Sequence, residues 1–305
     1  MTLTDLRYIV ALAQERHFGH AAEKCHVSQP TLSVAVKKLE EQLGVLLFER
    51  SAADVKVTEI GRQIVAQAER VLREASQVRD IAEAGRDPFA GPLRLGVIYT
   101  IGPYLLPSLI PRLAQRAPRM PLMIQENYTS RLAEGLKKGD IDVAILALPF
   151  SEPGIVTQPV YDEPFRVLMP ATHPWAAQEE ISTATLQEEP LLLLGAGNCF
   201  RDQVLEVCPR CAHGTGLQKT LEGSSLETIR LMVATGLGVT VLPSSAADSQ
   251  HAGANDLVSV RRFAAPEPSR RVALAWRVTY PRTKVIDLLR ACILESELPG
   301  VTPVG

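Results

Sequence analysis

Five cysteines, Cys25, Cys199, Cys208, Cys211 and Cys292, are the side chains of this chain most suited to covalent chemistry. Cys199 stands apart from the others. It opens an amphipathic run, residues 200–207, in which Phe200, Val204 and Val207 share one helical face. A helix N-terminus favours a thiolate, and Arg201 adds a positive charge two residues on. Thiolate is the form that attacks peroxide, giving a sulfenic acid that a second thiol can resolve. Gly195-Ala196-Gly197 gives the approach conformational freedom, and Pro209 ends the helix after Cys208. In an unbroken helix, residues nine apart have Cα atoms about 13.5 Å apart at about 1.5 Å per residue. A disulfide needs them within about 7 Å. Oxidation that joined the two ends would have to melt the helix, so it would be a switch with a mechanical output. Other readings of the same cysteines stand beside this one. Cys199 and Cys208 also fit two inert thiols, and Cys208-Pro209-Arg210-Cys211 can pair within itself. Cys208, Cys211 and His213 offer three metal ligands in a poor pattern, so no metal is expected. Cys25 and Cys292 fall in helical stretches and are expected in the core.

These residues need a scaffold, and the second part of the chain supplies one. From Leu93 onward strands and helices alternate: strands at 93–98, 122–126 and 143–148, with helices at 104–115 and 129–138. Such alternation predicts a parallel sheet with helices on its faces. A second unit runs from about 163 to 268, and the strand 272–276 with the helix 284–295 returns to the first. Thr100 and Thr129 then fall at carboxyl ends of strands, where open α/β sheets bind ligands. The chain has 305 residues, 46% of them apolar and 22% charged, which suits a globular protein of about two domains. It has no apolar run of membrane-spanning length and no signal-like N-terminus, so a cytoplasmic location is expected. Net charge is −2, and the first 58 residues hold seven basic and seven acidic side chains. Binding to nucleic acid by bulk charge is thereby excluded, and any such binding must come from locally placed groups.

Residues 17–50 supply that placement. Residues 19–25 read as one short helix, His26-Val27 as a turn, and Ser28 as the cap of a second helix with Pro30 in its first turn. Leu32, Val36, Leu39 and Leu43 recur at helical spacing and face inward. The opposite face shows Gln29, Thr31, Ser33, Lys37 and Lys38, suited to base edges and phosphates. Gly44 ends the helix, and a hairpin from Val45–Phe48 returns through Val55–Val57. From Thr58 to Arg86 a stripe of Ile60, Ile64, Ala68, Val71, Ala75, Val78 and Ala82 predicts a long helix with a face for a second copy of the chain. Gly85, Pro88, Gly91 and Pro92 mark a hinge after it.

The first segment resembles the winged helix-turn-helix of the LysR-type transcriptional regulators. The resemblance lies in Phe18, Ala21-Ala22, residues 27–31, Leu39-Glu40, Leu43-Gly44 and residues 47–50. It implies an α/β protein with an N-terminal winged helix-turn-helix, a long linker helix and a two-lobed sensor domain like the periplasmic binding proteins. The corresponding boundaries are 1–58, 59–87 and 88–305, with lobe I at 88–162 and 269–305 and lobe II at 163–268. Ser28, Gln29, Pro30, Thr31, Ser33, Lys37, Lys38 and Arg50 are then the residues expected on double-stranded DNA. Where the family has a basic wing, this chain has Ala52-Ala53-Asp54. The sensor segment is similar to the hydrogen-peroxide-sensing members, through residues 199–203 with Cys208, 100–107, 161–164, 173–175 and 225–228. That likeness implies Cys199 as the residue that meets peroxide and Cys208 as the resolving thiol, with Thr100, Thr129, Asn198, Arg201 and Asp202 around them. It also implies a non-enzymatic regulator without cofactor, a dimer of dimers, contact with RNA polymerase, and resetting by glutaredoxin or thioredoxin. Two departures matter. Asn198 replaces the usual histidine and cannot carry a proton, and Cys211 offers an additional thiol. Other members of the family answer a small carboxylate bound between the lobes, and a thiol peroxidase would show turnover with a reductant.

Overall fold

The computed structural model describes residues 1–50, 55–209, 222–248 and 256–304. The chain divides into two units, Met1–Arg86 and Asp87–Gly305.

In the first unit, α1 (Leu3–Glu15) starts on a reciprocal cap. The Thr2 hydroxyl accepts from the Asp5 N–H, and the Asp5 carboxylate accepts from the Thr2 N–H. α2 (Phe18–Lys24) and α3 (Gln29–Leu43) follow. α3 opens on Ser28, whose hydroxyl accepts from the Thr31 N–H, and closes on Gly44 at φ +70°, a conformation that glycine adopts freely. Leu32, Val36 and Leu39 are buried with Ile9 and Leu12. Leu43, placed on the same face by spacing, is instead 37% exposed, because it closes the last turn of α3. The wing pairs β1 (Phe48–Arg50) with β2 (Val55–Val57) in antiparallel register, Phe48 opposite Val57. Residues 51–54, and with them the expectation for Ala52-Ala53-Asp54, lie outside the described residues. Buried Glu40 accepts from the N–H groups of Leu47 (2.8 Å) and Phe48 (3.1 Å), so one carboxylate ties α3 to the wing. α4 (Glu59–Arg86) runs 28 residues. Its Val65 and Ala68 join the core of this unit, whereas Val71, Val78 and Ile81 are exposed.

The second unit begins with β3 (Leu93–Ile98), α5 (Gly102–Arg116), β4 (Leu122–Asn127), α6 (Thr129–Lys138) and β5 (Val143–Leu148). β3 lies between β4 and β5 and is parallel to both. Then come β6 (Ile155–Pro170), β7 (Glu180–Ile181), β8 (Leu193–Leu194), α7 (Cys199–Val207), β9 (Glu222–Gly223), α8 (Leu226–Ala234), β10 (Thr240–Pro243) and α9 (Ser244–Ala247). β11 (Val258–Phe263), β12 (Ser269–Arg277), α10 (Thr283–Leu294) and β13 (Thr302–Pro303) complete it. The strand order is β4-β3-β5-β12-β6-β11-β7, with β10 and β13 also paired to β6.

The sheet is mixed, where alternation alone predicts a parallel one. β12 runs antiparallel to both β5 and β6. The reason lies in β6, a single 16-residue strand that serves two cores. Its Val160 and Tyr161 pack with β3, β5, β12 and α10, while Phe165, Val167, Leu168 and Met169 pack with α7, α8 and β10. β12 returns from the second core alongside the first of these stretches. No helix among the described residues is long and apolar enough to cross a membrane.

Candidate functional site

Cys199 is the first residue of α7 and is free and half-buried. Its helix is held by Phe200 and Val204, both buried in the second core. The two strand ends β3 and β4 deliver the rest of the site. Ile98, Tyr99 and Thr100 follow from β3, and Asn127, Tyr128 and Thr129 from β4 into α6. With Gly197, Asn198, Cys199 and Phe200 they line a cavity of about 10 Å³. That is room for about one water-sized molecule.

The polar groups in this wall have distinct states. The Thr129 Oγ1 is buried and has no hydrogen-bond partner among the described residues. A buried hydroxyl left in that state costs about 1–3 kcal/mol, so the site is built to receive something that hydrogen-bonds. Thr100 is buried, and its Oγ1 accepts from Arg270 Nη1 at 2.7 Å, which leaves its own O–H to donate. Asn198 lines the cavity, but its Nδ2 donates backward to the Gly195 carbonyl at 3.0 Å. Gly197 adopts φ +92°, which turns the loop sharply just before Cys199.

Arg201 and Asp202, also expected in the pocket, are not part of its lining. Arg201 Nη1 instead donates to the Leu194 carbonyl at 2.7 Å and pins α7 to β8. Asp202 is turned to solvent. Arg270 was not anticipated, because the run Ser269-Arg270-Arg271 carries no motif. It is fully buried, bonds the Glu163 carboxylate through Nε at 2.8 Å and the Thr100 carbonyl through Nη2 at 2.9 Å. Its guanidinium also stands 5.3 Å from the Phe200 ring centroid, within cation–π range. One side chain of β12 thus holds both walls of the cavity.

Cys208 lies at the other end of α7. It is 4% exposed and packed in the second core. Cys25, Cys199 and Cys292 are free, and residues 210–221, Cys211 and His213 among them, lie outside the described residues. With α7 (Cys199–Val207) intact, Cys199 and Cys208 are nine residues and about 13.5 Å apart at about 1.5 Å per residue. Cys292 is buried, and Cys25 packs partly buried against the core of the first unit. Burial pushes the thiols of both upward from the ordinary value.

In the first unit, Gln29, Pro30, Thr31, Lys37 and Lys38 form an exposed face on α3, with Ser33 half-buried on its edge. Ser28 is spent on capping, its hydroxyl also 2.8 Å from the Thr31 hydroxyl. Arg50 sits in β1 opposite Val55. Val34 is 67% exposed on the same helix and was missed, although it breaks the inward spacing of its neighbours. An exposed apolar side chain there suits contact with a thymine methyl group.

Comparison with known proteins matches this division. Residues 3–62 match the bacterial regulatory helix-turn-helix protein of the lysR family, and residues 86–297 match the LysR substrate binding domain. The DNA-binding transcriptional dual regulator OxyR of Escherichia coli K12 is 41% identical over 281 residues, 92% of this chain and 91% of that protein. A full-length OxyR variant from Pseudomonas aeruginosa is 56% identical, with a TM-score of 0.78 over 99% of this chain and 98% of that one. An H2O2-bound OxyR variant from Corynebacterium glutamicum is 34% identical, with a TM-score of 0.65 over 97% of this chain and 92% of that one. The helix-turn-helix, the α/β sensor unit and these matches together show that the chain belongs to the LysR family of bacterial transcriptional regulators.

Proposed function

We propose that this chain is a cytoplasmic, DNA-binding transcriptional regulator that senses hydrogen peroxide through Cys199. The observation that carries the reading is the Thr129 hydroxyl, partnerless among the described residues, beside a free cysteine in a cavity of about 10 Å³. Such a space suits a small hydrogen-bonding oxidant. Peroxide held by Thr100 and Thr129 presents one oxygen to the sulfur. The S–O bond forms as the O–O bond breaks, Cys199 becomes a sulfenic acid, and the second oxygen leaves as water after taking a proton. A reduced Cys208 then attacks that sulfur and displaces the second water.

The two ends of α7 cannot meet while the helix stands, so the second step refolds the segment. This is an order-to-order switch of the kind that moves attached domains. Two cores joined along β6 support reading the second unit as two lobes, 88–162 with 269–305 and 163–268, arranged as in periplasmic binding proteins. Exposed Val71, Val78 and Ile81 on α4 support pairing of linker helices between copies. Assembly as a dimer of dimers, contact with RNA polymerase and resetting by glutaredoxin or thioredoxin complete the proposal by analogy with the relatives. The α3 face from Gln29 to Lys38, with Arg50 of the wing, is the part that meets double-stranded DNA.

The test is thiol mapping by mass spectrometry. Fully reduced protein receives one equivalent of hydrogen peroxide, alongside the Cys199→Ser variant. The expected result is a Cys199–Cys208 linkage in the wild type and no peroxide consumption in the variant. Reduced thiols throughout would overturn the proposal. A Cys208–Cys211 linkage with Cys199 left as a thiol would also overturn it.

A further inference from the structure

Among the ten described residues lining the Cys199 cavity, Ile98, Thr100, Asn198 and Phe200 are buried, while Tyr99, Tyr128 and Gly197 are exposed. The exposed three are its solvent side. Gly197 has no side chain and open space around it, so the bulk there belongs to the two tyrosine rings. Each of the two tyrosines is 39% exposed. They meet edge to face, with centroids 5.4 Å apart and planes at 77°. Such a pair is worth about 0.5–1.5 kcal/mol beyond its burial, so each ring braces the other. Each also precedes one of the two cavity hydroxyls directly, as Tyr99-Thr100 and Tyr128-Thr129. Tyr128 stands at the start of α6 without capping it, so its side chain is not committed to the helix.

We propose that Tyr99 and Tyr128 form a selectivity filter that admits hydrogen peroxide to Cys199 and turns back organic hydroperoxides. The inference rests on the peroxide reading of the site. Both oxidants undergo the same reaction. Sulfur attacks the proton-bearing oxygen, the S–O bond forms, the O–O bond breaks, and the remaining oxygen leaves as water or, from an organic hydroperoxide, as an alcohol after taking one proton. The chemistry does not distinguish them, so discrimination must come from the carbon group. The cavity has room for about one water. The carbon group of an organic hydroperoxide must therefore stay outside it, on the solvent side that Tyr99 and Tyr128 line.

The experiment measures the rate of Cys199 oxidation in the reduced full-length protein with hydrogen peroxide and with cumene hydroperoxide. Four proteins are compared: wild type, Tyr128→Ala, the double variant Tyr99→Ala Tyr128→Ala, and Tyr99→Phe Tyr128→Phe. In the wild type cumene hydroperoxide reacts at least about tenfold more slowly, the scale on which a site rejects small steric misfits. The alanine variants raise the ratio of cumene hydroperoxide rate to hydrogen peroxide rate by about tenfold. The phenylalanine variant keeps the wild-type ratio, because rings and not hydroxyls do the filtering. Equal wild-type rates, an unchanged ratio in the alanine variants, or a ratio that moves as far in the phenylalanine variant would each overturn the filter. Loss of reaction with both oxidants in the alanine variants would make the rings positioning parts of the cavity and overturn it too. A wild type that reacts with neither oxidant defeats the peroxide reading itself, whereas an unchanged ratio defeats only the filter.

Discussion

Glu40 and Glu163 are the same residue type, both buried, and each anchors a functional part of its own unit. Glu40 reaches seven and eight residues along the chain to the N–H groups of Leu47 and Phe48. Glu163 reaches 107 residues to Arg270 and 82 residues to the Ser245 N–H. Through Arg270 it also holds Thr100, 170 residues from that arginine. The first anchor is local and ties a recognition helix to its wing. The second closes only when four distant segments, around Thr100, Glu163, Ser245 and Arg270, have come together. Local anchoring gives a DNA-reading surface that one short segment specifies. Distant anchoring gives a cavity whose shape depends on how two cores are joined.

The comparison can be broken most directly at Arg270. Arg270→Ala leaves the Glu163 carboxylate buried without its guanidinium, a defect that costs about 3–5 kcal/mol. Both tryptophans, Trp175 and Trp276, lie in the second unit, so their fluorescence reports its unfolding. The urea midpoint read this way should fall sharply, and Cys199 oxidation should slow because Thr100 loses its fixed partner. A midpoint that hardly moves would show that the buried pair is not the anchor. Glu40→Ala is expected to cost less, since it leaves two neutral N–H groups without an acceptor rather than a buried ionised group without its counter-charge. Hydrogen exchange in the full chain should become faster at Leu47 and Phe48 while the second unit is unaffected. Unchanged protection at those amides would remove Glu40 from the wing's support.

The smallest effect belongs to the exposed pair Asp162–Arg271, which bridges β6 and β12 at 2.7 Å. Hydrogen bonding from the Arg271 guanidinium holds the Asp162 carboxyl below its ordinary value. A depressed folded-state value contributes stability above the unfolded value near about 3.9 and loses it as pH falls through the folded one. Because both partners are substantially exposed, solvent screening keeps the contribution small. Asp162→Asn should therefore barely shift the midpoint at neutral pH and flatten slightly its decline below about pH 4. A loss as large as that of Arg270→Ala would contradict the distinction between buried and exposed pairs.

Much of the fold was legible in the chain because its elements announce themselves locally. Ser28 caps α3 and Gly44 closes it, as their positions in the sequence suggest. The strand–helix alternation from Leu93 to Leu148 appears as β3 through β5. The sheet's direction was not legible. β12 joins antiparallel because it returns from the second core alongside β6, the strand that carried the chain there, and no local pattern shows where a strand's partner comes from. At the cavity, Cys199, Thr100, Thr129 and Asn198 come together. Arg201 and Asp202 turn elsewhere, since position next to a cysteine does not decide which way a side chain points.

What the sequence determined by itself is the inventory: which helices form, where they start, which face of α3 is polar, and which cysteine opens α7. These follow from hydrogen bonds and periodicities within a few residues. What only the tertiary structure decided is the environment of that cysteine. Arg270 gains its role because burial makes an unpaired charge costly, and Glu163 and Thr100 are the partners that the folded sheet brings within reach. The Thr129 hydroxyl is left without a partner among the described residues by the same packing. A buried polar group's partners are set by three-dimensional proximity, so its free hydrogen-bonding capacity is a property of the fold.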